Sequence, residues 1–285
     1  MGLSSGADRR EGEHHVKLQW VVIGLAVALG AALAYVLLAP RVLDETAQLL
    51  AEGATAASQL DRALVDLERA VSDGGEDPSG IQQRIDESYD RAASAYEAAY
   101  VSDPSADVLV ILGHLHLSVG EIDSARRAFV KALTQWPGTP AAYGGLGDVL
   151  FAFADYRGAI ENYQNALWWD QNGGPSPGID ERATHTRLGD AALLLHLPVL
   201  AQEHYRAVLV TEPESFEALL GLADALLQQF DDVEALAVLE DAARVGGAQR
   251  AGEIRERIAL IEDRAGGAAL PEWTTEFSDT QPDAS

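Results

Sequence analysis

The apolar and polar positions of the chain fall into three regimes along its length. Residues 20–39, WVVIGLAVALGAALAYVLLA, carry no charge. A helix of that length rises about 1.5 Å per residue and spans roughly 30 Å, the thickness of a bilayer's hydrocarbon core. Trp20 and Tyr35 stand towards its two ends, where amphipathic rings favour the headgroup level, and Pro40 closes the run. Between Pro40 and Asp73 apolar residues recur at sevenfold spacing (Leu43, Leu50, Ala57, Leu64, Val71), which predicts one long helix. Leu60 and Leu67 add a second seam that Thr46 and Gly53 weaken. Two arrangements fit this helix: a membrane-proximal coiled coil joining two copies of the chain, or packing against the next helix as an irregular first pair. The second is preferred, with residues 74–78 as the turn.

From residue 81 onward the spacing becomes that of amphipathic helices and the pattern copies itself. Leu109-x2-Leu112-Gly113-x2-His116 is followed by Ala125-x3-Phe129-x2-Ala132 and Pro137. Tyr143-x2-Leu146-Gly147-x2-Leu150 precedes Ala159-x3-Tyr163-x2-Ala166. His185-x2-Leu188-Gly189 precedes Ala201-x3-Tyr205-x2-Val208 and Pro213. Leu219-x2-Leu222-Ala223-x2-Leu226 with Ala235-x3-Leu239-x2-Ala242 makes a fourth copy, and Ala92-x3-Tyr96-x2-Ala99 is a lone second half upstream. The leading alanines 92, 125, 159, 201 and 235 lie 33, 34, 42 and 34 residues apart. A 34-residue period thus carries one insertion of eight, which the segment Gly173–Gly178 accommodates. First helices are predicted near 105–119, 139–153, 181–195 and 214–229, and second helices near 81–102, 121–136, 155–170, 197–212 and 231–245. Residues 250–265 read as a polar-faced capping helix.

This arrangement resembles the tetratricopeptide repeat (TPR) family over about residues 81–245. Leu and Gly let the first helix of a pair approach its second helix closely, Ala at the start of that second helix fits the contact, and the aromatic four residues later fills the groove between repeats. A single pair cannot bury its faces, so several stack. The resemblance implies an all-α TPR α-solenoid of about four repeats, with an irregular first pair and a capping helix, behind one transmembrane helix. The expected organisation is a tail over 1–19, the transmembrane helix over 20–39, a membrane-proximal helix and turn over 40–80, the solenoid over 81–265 and a disordered acidic tail over 266–285. It also implies a peptide-binding groove lined by the first helices. The residue after each repeat's Gly or Ala should face that groove: His114, Asp148, Asp190 and Asp224, joined by Val110, Leu117, Phe151, Leu193, Leu194, Leu220 and Leu227. The Lys and Asn that clamp C-terminal carboxylates in some relatives are missing from these positions.

Charge narrows the partners. Lys+Arg number 20 against 45 Asp+Glu, a net charge of -25 that repels phosphate backbones and excludes nucleic acid as an expected partner. Arg9, Arg10 and Lys17 precede the apolar run and only Arg41 follows it closely, so by the positive-inside rule the N-terminus is cytoplasmic and the rest extracytoplasmic. A cleaved signal peptide ending at Ala32-Leu33-Ala34 is the rival, but the apolar run continues past that point. Small residues at Ala26, Gly30 and Ala34 permit close pairing of membrane helices.

No phosphate loop, dinucleotide glycine pattern, nucleophile elbow or zinc-protease motif occurs, and no cysteine. His114 and His116 point to opposite faces of a helix, so no metal or cofactor is expected. One of Trp168 and Trp169 should pack inward, and Trp273 and Phe277 either form a docked turn or ride in the mobile tail, the latter being preferred. The chain therefore reads as a membrane-anchored binding module rather than an enzyme. Its expected role is an extracytoplasmic adaptor or assembly chaperone that holds apolar and basic segments of protein partners. The alternative is a structural accessory subunit of a membrane complex held by its transmembrane helix.

Overall fold

The computed structural model describes residues 44–72, 78–247, 250–266, 270–274 and 277. The segment 20–39 lies outside these residues, and no helix among them is long and apolar enough to cross a membrane. The described residues form eleven α-helices and no strand. They divide into two compact units, one ending at Pro104 and the other beginning at Ser105.

The first unit holds α1 (44–72) and α2 (Pro78–Ser102). The two helices pair, as the preferred sequence reading has it, but on the seam that reading weakened. Thr46, Gly53, Ala56, Leu60 and Ala63 are the buried positions of α1, while Val71 of the sevenfold series is exposed. Gly53 is needed there, because a Cβ would stand 2.8 Å from the Tyr96 ring. Thr46 suits its position because its hydroxyl shares a 2.8 Å hydrogen bond with Ser102 at the other end of α2.

The second unit consists of four helix pairs and a ninth helix. They are α3 (Ala106–Ser118) with α4 (Ile122–Gln135), α5 (Pro140–Ala152) with α6 (Tyr156–Gln171), α7 (Glu181–Leu194) with α8 (Pro198–Thr211), α9 (Phe216–Gln228) with α10 (Asp232–Gly246), and α11 (Ala251–Ala265). Local chemistry starts the helices. Ser105, Asp155, Asp180, Ser215 and Asp231 each accept a hydrogen bond from the amide three residues on, and Pro opens α5 and α8.

Every first helix ends in the same way. Gly120, Ala154, His196 and Phe230 adopt left-handed φ of 79°, 58°, 55° and 60°. The next amide, of Glu121, Asp155, Leu197 or Asp231, bonds back to the carbonyl of His116, Leu150, Ala192 or Leu226. This is the six-to-one bond of a Schellman ending, which glycine favours and only the first pair supplies.

The pairs are locked by aromatic rings set against glycines. A Cβ on Gly113 or on Gly145 would collide with Phe129, one on Gly147 with Tyr163, and one on Gly189 or Gly221 with Tyr205. Each of these rings is almost wholly buried. Phe129 and Tyr205 are thus gripped by glycines of two successive first helices, and α3 packs directly on α5 and α7 on α9. Tyr163 has a glycine on one side only. The position equivalent to Gly145 and Gly221 in the third pair is Arg187, and α5 and α7 do not approach as closely.

Two substitutions should move stability in opposite directions. Ala154→Gly relieves a left-handed alanine and should raise the unfolding free energy by about 0.5–1 kcal/mol. Gly145→Ala drives a methyl into the Phe129 ring and should lower it by about 1–3 kcal/mol. Urea titrations followed by helical circular dichroism check both, and a neutral Gly145→Ala would refute the ring-against-glycine account.

Candidate functional site

The first helices present the face on which the expected groove residues lie. The four residues that follow the close-packing Gly or Ala each stand fifteen positions before the large residue of their own second helix (a ring in three of them), giving the pairs His114–Phe129, Asp148–Tyr163, Asp190–Tyr205 and Asp224–Leu239. Tyr163 donates its phenol hydrogen to Asp148 Oδ1 at 2.8 Å and Tyr205 donates to Asp190 Oδ1 at 2.6 Å. Phe129 has no hydroxyl, and His114 meets it ring edge to face at 5.2 Å between centroids. Leu239 offers nothing, and Asp224 instead takes a two-pronged bond from Arg257 of α11, at 2.7 Å from Nε and 2.6 Å from Nη2. Arg187 reaches from α7 to pair with Asp148.

The electrostatics follow from this burial. Burial first, and the Asp190 carboxylate next, push the Tyr205 phenol far above its ordinary range; Tyr163 is raised in the same way beside Asp148. Both hydroxyls therefore remain donors at neutral pH. Burial raises Asp190 against the opposing pull of the Tyr205 bond and Arg187. The row of carboxylates expected to meet a basic partner is thus engaged inside the protein.

The apolar candidates separate into two groups. Val110, Leu220 and Leu227 are only 5%, 5% and 4% exposed, so these three are packing residues, a correction to their expected place on an open groove wall. Around the fourth pair, Leu220 and Leu227 share one buried apolar core with Ile254, Ile258 and Ile261 of α11. Leu117, Phe151 and Leu193 are half-buried and Leu194 is 50% exposed. Leu117, Phe151 and Leu193 occupy equivalent positions near the C-terminal ends of α3, α5 and α7, and the Phe151 ring packs edge-on against Tyr156 at 5.3 Å between centroids.

The N-terminal ends of α3 and α5 meet the insertion. The connection 172–180 is nine residues where 136–139 and 212–215 are four, while α6 is two residues longer than α4 and α7 one longer than α5. The eight extra residues are therefore shared between loop and helices rather than lying wholly in Gly173–Gly178. Trp169 packs against Gly138, whose Cβ would stand 2.9 Å from the ring, and Trp168 stays exposed at its edge.

The tail contradicts expectation where it is described. Leu270, Trp273 and Phe277 pack against the core of the second unit, Thr274 is buried, and Arg255 Nε donates to the Phe277 carbonyl at 2.7 Å. The preferred reading of a disordered 266–285 fails at these positions because two aromatics four apart fold onto one surface, with centroids 5.9 Å apart. An open cleft of about 800 Å³ also lies between α1 and α2, lined by Leu49, Glu52, Gln59, Arg91 and Ser94 among others. No cluster of three or more His, Asp or Glu suited to a metal occurs among the described residues.

Residues 111–177 and 186–253 match a family model described as tetratricopeptide repeat. The helix pairs over these residues are thus similar to tetratricopeptide repeats. Among solved structures the chain is similar to YrrB, described as a TPR protein with an unusual peptide-binding site, at 23% identity and a TM-score of 0.55, over 68% of this chain and 95% of YrrB. It is also similar to yeast Tom70, at 17% identity and a TM-score of 0.51 over 78% of this chain and 50% of Tom70. PilF of Pseudomonas aeruginosa is similar at 18% identity and a TM-score of 0.50, over 75% of this chain and 89% of PilF. These likenesses show the fold. No curated protein shows significant sequence similarity to the chain.

One further pair joins α7 to α8. His185 and His204 face each other with their Nδ1 atoms 3.0 Å apart, and the buried Nε2 of His204 has no partner. Burial lowers both, the neighbouring imidazole lowers His204 further, and Glu181 and Glu203 pull the other way. Their folded pKa values lie below the unfolded value of about 6.5, so the unfolded chain binds more protons in mildly acidic solution. The pair's contribution to stability should be fully present at pH 7, above the unfolded value, and smaller at pH 5.5. Thermal melts at both pH values check this. His204→Leu should reduce the loss, and a midpoint that does not move with pH would refute the assignment.

Proposed function

We propose that this chain is a single-pass membrane protein whose tetratricopeptide repeats act as an extracytoplasmic adaptor or assembly chaperone. The observation that carries the binding role is the partial exposure of Leu117, Phe151 and Leu193 at equivalent positions of three successive first helices, with Leu194 beside them half open. Apolar side chains at partial exposure are surface that a partner segment can desolvate. Because Asp148, Asp190 and Asp224 are already bonded, the contact itself is made by apolar groups of the partner. The net charge of -25 acts at longer range and steers basic segments towards the protein. The 20-residue apolar run and its basic upstream flank support the anchor and its orientation.

Two measurements test the proposal. Alkaline phosphatase fused after residue 285 should be active, and a cytoplasm-dependent reporter at the same point silent; the reverse pattern would overturn the topology. Crosslinked capture from native membranes should recover a partner with the wild type and roughly tenfold less with Leu194→Asp, a substitution at an exposed position that leaves the core intact. Undiminished capture would move the contact to residues 20–39 or to α1 and favour the accessory-subunit reading.

A further inference from the structure

We propose that the turns joining α7 to α8 and α9 to α10 form a docking surface, centred on Phe230, for an apolar protein segment that carries Lys or Arg. The proposal deepens the adaptor reading and rests on it for the existence of a partner.

Large apolar side chains stand in the open at both turns. Leu197 and Val199 are exposed at the third pair, and Phe230 and Val233 at the fourth, the last two to 76% and 82%. Hydrogen bonds between the pairs run beside them. Gln228 Nε2 donates to the Leu193 carbonyl at 3.1 Å, and Arg206 Nη2 of α8 donates to Glu234 Oε1 of α10 at 2.7 Å. The two turns are thus neighbours in the stack.

Within the chain, little accounts for a phenylalanine at 230. Its φ of 60° is left-handed, at the position where the first pair has Gly120, and bulky residues rarely occupy that region. The turn is closed by backbone bonds that glycine makes equally well: the Phe230 amide to the Leu227 carbonyl at 3.2 Å, and the Asp231 amide to the Leu226 carbonyl at 3.1 Å. One ring face meets the Arg264 guanidinium at 4.9 Å, but Arg264 is already held by the Leu227 carbonyl and Asp232. The chain therefore bears backbone strain in order to display a ring. Strain kept at an exposed aromatic points to a contact outside the chain.

Charge selects the occupant. Glu203 stands one turn after Val199, and Asp231, Asp232 and Glu234 flank Phe230 and Val233. Arg206 pairs with Glu234 and Arg264 with Asp232, so these carboxylates outnumber the guanidiniums beside them. The local excess adds to the chain's net charge of -25. That field repels a second copy and an anionic lipid surface alike, and it favours a cationic segment. The segment covers Phe230 and Val233 with apolar side chains and sets its Lys or Arg towards the carboxylates.

The test uses the full chain in native membranes with Phe230→p-benzoylphenylalanine, which keeps an aromatic ring in place. Irradiation should join position 230 to a partner protein, and mass spectrometry should place the link in a segment with apolar side chains and more Lys and Arg than Asp and Glu. Val199→Ser with Val233→Ser, both at exposed positions, should lower the yield about fivefold. An unchanged yield in that variant, or a link to a second copy, to lipid or to an acidic segment, would overturn the proposal. So would a yield no higher than that from Glu240→p-benzoylphenylalanine, at an exposed position of α10 away from the turn. A second measurement needs no partner. Phe230→Gly relieves the strain and should raise the thermal midpoint in detergent by about 2–4 °C. A lower midpoint would show the ring to be structural and overturn the proposal. Failure of the adaptor reading is distinguishable from failure of this surface. Capture that falls with Leu194→Asp while position 230 gives no adduct overturns this surface alone, and an adduct that persists with Leu194→Asp overturns the first-helix contact alone.

Discussion

The close approach of an aromatic ring to a backbone with no Cβ is the constraint from which the second unit is built. Phe129, Tyr163 and Tyr205 stand where an alanine methyl on the facing first helix would collide with them. The ring supplies the buried area and the glycine supplies the room, so neither is useful alone. Where glycines of two successive repeats grip one ring, the first helices come together, as α3 does with α5 and α7 with α9. Where Arg187 replaces the second glycine, the helices stay apart and a guanidinium occupies the interval, pairing with Asp148. At that junction the first helices are bridged by charge, while the apolar core continues across it between α6 and α7.

The hydroxyls of two of those rings explain the acidic row. A phenol buried without an acceptor costs about 1–3 kcal/mol, and a carboxylate one helix away removes that penalty. The residue opposite changes with the ring: Asp meets Tyr163 and Tyr205, His meets Phe129, and the Asp opposite Leu239 turns to Arg257 instead. This complementarity, and the raised phenols that go with it, make the row part of the packing.

Much of the fold was legible because its signals are local. Leu-Gly and Ala-aromatic signatures recurring at 34 residues locate the helices and their pairing without any knowledge of partners across the interface. What escaped was nonlocal. The spacing of fifteen between Asp148 and Tyr163, and again between Asp190 and Tyr205, was present in the sequence and would have identified the pairs had each polar residue been asked for a buried donor. Thr46 and Gly53 looked like defects in a seam because their justification, Ser102 and Tyr96, lies some forty to fifty-six residues away. The 42-residue spacing announced an insertion, but its path over Ala141 and Gly144 depends on contacts that no periodicity encodes. Trp273 likewise gave no sign of the surface that receives it.

The two ends of the first-helix face are closed by different means, and this shapes what can bind between them. At the fourth pair, Arg257 and Arg264 of α11 engage Asp224 and the Leu227 carbonyl. At the first two pairs, the insertion bonds to Asp107 and Ala141 at the N-terminal ends of the helices. Leu117, Phe151 and Leu193, at equivalent positions of α3, α5 and α7, stay partly exposed, and Leu194 beside them is half open. The junction between the second and third pairs is the one from which the insertion departs, and there Arg187 takes the place of a gripping glycine and pairs with Asp148. That junction is apolar as well as charged, because Ile160, Tyr163 and Leu167 of α6 share one buried core with Leu188 and Ala191 of α7. The ion pair thus lies on the first-helix side of a joint whose apolar packing is carried by the second helix before it.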